Sequence, residues 1–381
     1  MATPLYEQLY TYIIEQIRDG KLQKGDRVPS EKEFAEQFSV SRITSKKALE
    51  MLAQANVIER VRGKGSFVSL DTDRSAPINL PNAVEDNSSE NKHSWVLGVI
   101  FPDCSDSFGT RMLRAIEEQC AKSNCHMILK FTYDSQTIEE QAVQSLVRYG
   151  VDGLIILPVH GEMYNAELLR LSLDNFPMIL VDRHLKGIPV QSVHTDNAKA
   201  AEELTDFLLD RGHQHIGFLS PPPEHTTVIE ERVQGFITAF SKRGLNINLG
   251  YLERRLMSTL PSRQTMPEEV NADKRLLTQF IQEHENITAF VACEYNIALL
   301  LSKVLASMQK KIPRDVEVVC FDSLDRPFDS PFFTHIRQNE EAIGKTAVNK
   351  LLKQLEGKQT SINCTIGYEL IMGESTHINL G

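Results

Sequence analysis

The spacing of apolar residues along the chain changes near residue 95. Over 4–19, Leu5, Leu9, Ile13 and Ile17 recur at intervals of four and form one stripe, which predicts an amphipathic helix. Gly20 ends it in the position that helix stops favour. A second helix is predicted from Ser30, because Ser30 and Glu33 have the spacing of a capping box. A third begins at Ser41, after the turn Phe38-Ser39-Val40. On its helical wheel Ser45, Ala48, Leu49 and Leu52 share a core face. Ile43, Lys46 and Lys47 point away, and Arg42 lies at the border. Residues 57–68 (VIERVRGKGSFV) then alternate apolar and polar positions around Gly63-Lys64-Gly65. This predicts a hairpin whose tip carries Arg62 and Lys64.

From Trp95 onward apolar strands alternate with amphipathic helices. Strands are expected at 95–101, 126–131, 153–157, 177–181, 215–219, 287–292 and 316–321. Helices are expected near 108–124, 136–149, 230–243 and 295–308, with others between. This order implies βαβ units and parallel sheets covered on both faces. The fold class expected is therefore α/β: a winged helix-turn-helix joined to a two-lobed, doubly wound body. Residues 95–381 exceed the usual size of one core, hence the two lobes. Residues 71–94, rich in Ser, Asn, Pro and Asp, read as a flexible linker, and 1–70 as a separate head.

Two short helices, a tight turn and an exposed basic face form the arrangement that places a recognition helix in the major groove. Residues 28–68 (VPSEKEFAEQFSVSRITSKKALEMLAQANVIERVRGKGSFV) resemble the DNA-binding domain of the gluconate-repressor (GntR) family. The resemblance implies DNA contacts by Lys32, Ser41, Arg42, Thr44, Lys46, Arg62 and Gly63, beside Lys64 of the hairpin tip. Ser45 and Lys46 depart from the family's more usual Val and Arg, and Lys46 lacks the planar fork of Arg. Ile43 could meet a thymine methyl group or be an incidental surface residue. The alternative for the whole head is a winged helix that binds protein.

In open α/β sheets ligands sit beyond the carboxyl ends of the strands. Asp103, Pro158, Asp182, Arg183, Ser220, Glu294 and Asp322 directly follow predicted strands, and Arg232 lies near the start of a following helix. Carboxylates and guanidiniums there suit a neutral polyhydroxylated ligand, with Phe108 offering a face to the C–H side of a ring. Ser107 is expected in the same lining. Asp182 and Arg183 could instead form a structural ion pair, and Asp196 reads as a helix N-cap. The segments VLGVIFPDCSDSF, GVDGLIILP, FPMILVDRHLKGIPVQSVHTDN, LLDRGHQHIGFL, ITAFVACEYNIALLL and DVEVVCFDS resemble the effector domain of the lactose/galactose-repressor (LacI/GalR) family. The likeness weakens at 250–275 and past 340. It implies ligand contacts by Asp182, Arg232, Glu294, Asp322 and Gln338. Tyr295 stands where that family often has Asp. The pairing of this sensor with a GntR-type head looks like the arabinose-repressor group, which implies a repressor of carbohydrate-utilisation genes released by a sugar, with L-arabinose the first candidate.

Net charge is −10, which argues against a general nucleic-acid binder. The balance is +2 over residues 1–70 and −12 over the rest, as fits a protein that touches DNA with one end. The six cysteines include no CxxC pair, so reduced thiols are expected, without a metal. No basic segment leading into a short apolar core opens the chain, and no run of apolar residues could span a bilayer. A cytoplasmic protein without cofactor is expected, with operator DNA, a small-molecule effector and a second copy of itself as partners. Two other readings are weighed. A regulator fused to a pyridoxal-phosphate enzyme would need a longer body, and a transport binding protein would need export. No nucleophile–base constellation, Walker loop or GxGxxG follows any strand.

Overall fold

The structure is a computed structural model. It describes residues 9, 12–13, 16–17, 20–38, 40–54, 57–61, 65–69, 94–160, 165–185, 187–224, 226–263, 266–324, 330–358 and 361–377. The chain divides into two compact units, Met1–Asn91 and Lys92–Gly381. The expected linker, except Ser94, lies outside the described residues.

In the head, residues 9, 12–13 and 16–17 are helical, and Leu9, Ile13 and Ile17 are buried as the stripe predicts. Helix α1 spans Glu31–Gln37 and α2 spans Arg42–Gln54. The capping box is formed: Glu33 N donates to Ser30 Oγ (3.3 Å) and Ser30 N to the Glu33 carboxylate (2.7 Å). On α2, Ser45, Ala48, Leu49 and Leu52 are buried while Lys46 and Lys47 are exposed. Strands β2 (Ile58–Val61) and β3 (Gly65–Val68) pair antiparallel as the hairpin. A further strand, β1 (Arg27–Val28), adds to β3. At two residues it is too short for any periodicity to announce.

The second unit holds two six-stranded sheets. The first runs β14 (Asn363–Ile366), β8 (Gln191–Thr195), β7 (Met178–Val181), β6 (Gly153–Ile156), β4 (Trp95–Phe101), β5 (Cys125–Phe131), all parallel. Helices α3 (Thr110–Lys122) and α10 (Glu340–Leu355) cover one face through Met112, Ile116, Ile343, Ala347 and Leu351. Helices α4 (Gln136–Tyr149) and α5 (Ala166–Leu173) cover the other through Val143, Leu146, Leu168 and Leu171.

The second sheet runs β10 (Leu252–Glu253), β9 (Ile216–Leu219), β11 (Ala289–Ala292), β12 (Glu317–Phe321), β13 (Thr334–Gln338), β15 (Tyr368–Ile371). Only the β13–β15 pair is antiparallel. Helices α6 (Asn197–Asp210) and α7 (Thr227–Lys242) lie on one face, α8 (Pro267–Glu283) and α9 (Tyr295–Ser307) on the other. The chain passes between lobes three times, at Asp196, at Asn339 and at Gly367. Asp196 and Asn339 each cap the helix that follows, accepting from Lys199 N and Ala342 N.

Two helix starts differ from expectation. Helix α3 begins at Thr110 rather than near 108, because Gly109 has φ +93° and breaks the turn before it, leaving Phe108 in the preceding loop. Helix α7 begins at Thr227, three residues early, so Arg232 lies in its second turn.

Gly235 is where α7 lies against α6. A Cβ there would sit 2.1 Å from the carbonyl oxygen of Ala198. Alanine ordinarily stabilises a helix by about 1 kcal/mol relative to glycine, but here the clash is with backbone and the helices must part. Gly235→Ala should therefore cost about 3 kcal/mol, the upper end for overpacking. Urea unfolding measures it, and an unchanged midpoint would contradict the packing described.

Candidate functional site

The carboxyl ends of both sheets face each other across a cavity of about 150 Å3. All nine ligand residues expected from the sequence line it: Asp103, Ser107, Phe108, Asp182 and Arg183 from the first lobe, and Arg232, Glu294, Asp322 and Gln338 from the second. The strand-end residues Pro158 and Ser220 are not in this lining, although Pro158 contributes its carbonyl to hold Arg183 Nη1 (2.7 Å).

Asp182 and Asp322 end β7 and β12 in the same way. Each has a left-handed backbone, φ +64° and +61°, and each donates its N–H to the neighbouring strand, Val193 O and Ile336 O at 2.9 Å. Aspartate tolerates this conformation better than most residues, and such backbone concentrates at functional sites. Asp322 Oδ2 accepts from Gln338 Nε2 (2.9 Å). Arg232, 4% exposed, stands among the acids. Its Nε donates to Asn197 Oδ1 (2.9 Å), Nη1 to the Cys293 carbonyl, and its guanidinium lies 3.7 Å from the Phe321 ring centre.

Burial raises the pKa of Asp182, Glu294 and Asp322, against the pull of the guanidiniums. Asp182 is raised by burial with Arg183 and Arg232 opposing. Glu294 is raised by burial with Thr259 and Arg232 opposing, and Asp322 is pushed up to about 7. The Asp182–Arg183 pair is loose (3.7 Å), so the structural ion-pair alternative does not account for Arg183, whose firm bond is to Pro158.

Among the lining residues that sequence reasoning missed are the polar side chains of His160, Thr226 and Thr259. His160 lies four residues past the end of β6, beyond the reach of a strand-end rule. Thr259 belongs to the stretch where the resemblance fades. The His160 ring is buried with both nitrogens unbonded, and burial together with Arg183 lowers its pKa to about 3, so it is neutral. Thr226 Oγ1, Glu294 Oε1, Asp322 Oδ1 and Gln338 Oε1 are likewise buried without a partner. Buried polar atoms are rarely left so unless something else satisfies them.

On the head, Ser41 and Thr44 open α2. Thr44 N donates to Ser41 Oγ (3.1 Å), and the two hydroxyls lie 2.8 Å apart. Lys32 and Lys46 are exposed beside Glu36 and Glu50, at 3.9 and 3.8 Å. Helix N-termini attract phosphate, and loose surface pairs of this kind are easily exchanged for it. Arg42 is the first residue of α2, but its side chain and the tip residues Arg62, Gly63 and Lys64 lie outside the described residues.

The sequence and fold have counterparts among known proteins. A profile of bacterial regulatory proteins of the gntR family matches residues 5–68, and one of the periplasmic binding protein-like domain matches 205–376. The arabinose metabolism transcriptional repressor of Geobacillus stearothermophilus is 26% identical over 98% of both chains. The repressor CytR of Escherichia coli K12 is 25% identical, over 78% of this chain and 83% of its own. Among solved structures, CcpA of Lactococcus lactis (TM-score 0.65, 19% identity) covers 75% of this chain and all of its own. A LacI-family regulator of Enterococcus faecium with bound ribose (TM-score 0.61, 22% identity) covers 74% and 98%. These structures establish the fold of the two-lobed unit. With its head and its body each matched to a known domain, the chain is a regulatory protein that joins a gntR-family DNA-binding head to a periplasmic binding protein-like sensor.

Proposed function

We propose that this protein is a transcriptional repressor of carbohydrate-utilisation genes, released from its operator by a sugar bound in the interlobe cavity. The observation that carries the reading is the convergence of nine sequence-expected polar and aromatic residues, with buried unbonded acceptors among them, on one cavity of a chain that also carries a gntR-type head. L-Arabinose is the first candidate, supported by the repressor relative aligned along the whole chain. Another sugar or a sugar phosphate is the alternative.

In this reading two chains pair and present two heads to a near-palindromic site. Residues 71–94 act as the tether. Lys32, Ser41, Arg42, Thr44 and Lys46, with Arg62, Gly63 and Lys64 of the hairpin tip, make the DNA contacts. The role is regulation rather than catalysis, in the cytoplasm. No lysine is among the described residues lining the cavity, so a pyridoxal-phosphate Schiff base has no anchor there. No helix among the described residues is long and apolar enough to cross a membrane. The test is a thermal-shift screen with sugars followed by gel shifts on the operator. A sugar that raises Tm should also release DNA, and a stabilising sugar that leaves DNA bound would contradict the proposal.

Asp322 adds a pH dependence. In the folded protein it keeps its proton up to about pH 7, whereas the unfolded chain releases it near pH 4. Its contribution to stability is thus greatest below pH 4 and is lost as pH rises toward 7. A sugar hydroxyl donating to this carboxylate favours the ionised form. Effector affinity should therefore rise about tenfold from pH 6 to pH 8, and Asp322→Asn should flatten the profile. Calorimetry at the two pH values checks this, and equal affinities for the parent protein would refute it.

A further inference from the structure

We propose that His184, Thr227 and Glu231 form a latch that holds the two lobes together around the effector without touching it. This rests on reading the cavity as the effector site.

The three residues come from opposite lobes. His184 lies two residues past Asp182, in the loop that follows β7 of the first lobe, and Thr227 and Glu231 stand one turn apart on α7 of the second. Thr227 Oγ1 donates to the His184 carbonyl (3.1 Å), and His184 Nε2 stands 3.7 Å from Glu231 Oε1. Thr227 is buried. None of the three lines the cavity, whereas their neighbours Asp182, Arg183, Val228 and Arg232 do. The contact therefore sits directly behind the residues that would meet a ligand.

Both sides of the contact are anchored. On the first lobe the His184 ring packs on that of His194, with centroids 5.1 Å apart. His194 is itself buried in β8, its Nδ1 3.2 Å from Ser192 Oγ, and lies two residues before the crossing at Asp196. On the second lobe Thr227 opens α7, and Thr226 before it gives that helix no side-chain cap. The positive end of the helix is thus open to an oxygen from elsewhere, and the His184 carbonyl of the other lobe comes to it. Helix α7 lies against the backbone of α6 at Gly235, and α6 starts directly after the same crossing. A change of angle between the lobes at Asp196 therefore moves Thr227 against His184.

A bond made only while the lobes are together strengthens ligand binding although the ligand never meets it, because both favour one arrangement of the lobes. It must break before a bound sugar can leave, so its loss falls on release rather than on entry.

The experiment is calorimetry and stopped-flow binding on the full chain with L-arabinose, D-xylose, D-ribose, D-glucose and D-galactose, together with hydrogen exchange on the sugar-free protein. Thr227→Val keeps the shape without the donor. It should weaken every sugar that binds by one common factor, about fivefold, through faster release at an unchanged association rate. Thr227→Ser keeps the hydroxyl and should stay within about twofold of the parent. Sugar-free Thr227→Val should also exchange faster in the peptide that carries His184, on the lobe opposite the substitution. A weakening that differs from sugar to sugar would make Thr227 a ligand contact and overturn the latch. So would parental sugar affinity in Thr227→Val with a lowered Tm, the mark of a contact that serves stability alone. If none of the five sugars binds the parent protein, the effector reading fails and exchange decides the latch by itself: unchanged exchange around His184 overturns it as well.

Discussion

Arg232→Ala should abolish the response to effector. The side chain lies beside Asp182, Glu294 and Asp322, and it is pinned by Asn197 and the Cys293 carbonyl against the Phe321 ring. Losing one hydrogen bond to a charged group costs about 1.5–3 kcal/mol, or roughly ten- to 150-fold in affinity. The alanine variant also removes the guanidinium that opposes burial at Asp182, Glu294 and Asp322, so they hold protons more firmly and accept less well from a ligand. Breaking a buried charge cluster costs about 3–5 kcal/mol of stability, and a lower Tm is expected with the loss of binding. Arg232→Lys retains the charge without the fork and should lie between the two. In gel shifts the alanine variant should remain on operator DNA at sugar concentrations that release the parent. Release at the parental concentration would remove Arg232 from the effector site.

Arg42→Ala should cost at least about a hundredfold in operator affinity with no change in Tm. Arg42 is the first residue of α2, and the core face of that helix is supplied by Ser45, Ala48, Leu49 and Leu52. An arginine reading a guanine edge contributes about 1–3 kcal/mol of discrimination, and more when it also holds a phosphate. Gel-shift titrations at two salt concentrations separate the roles: loss of a phosphate contact lowers the salt slope by about one, whereas loss of a base contact leaves it unchanged. Parental affinity at both concentrations would refute the placement of the DNA face.

The parts of this molecule that could be read from the chain share one physical property: their signal is local. Helix 136–149 and strand 95–101 have the expected limits because each carries a full run of its own periodicity. The acids at 103, 182 and 322 were legible because a strand end is visible in sequence and the chemistry follows it. Strand β8, QSVHT, has no apolar run, and its burial comes from neighbours on both sides. Glu340 could not be read as a cap for α3, since its partners lie 229 and 231 positions away. His160 depends on Asp134 and Glu139, which only folding brings to it.

The three passages of chain between lobes bear on how the protein emerges from the ribosome. The second lobe is drawn from Asn197–Gln338 with only β15 added later, so it can close on a nearly continuous segment. The first lobe begins at β4 but still needs α10 to cover one face of its sheet and β14 to complete an edge. Domains made in one piece fold in the order they are synthesised; here the lobe that starts first is finished last. Until α10 has been delivered through Leu355, the apolar face that Ile343, Ala347 and Leu351 will cover stays open to solvent, and the edge closes only with β14.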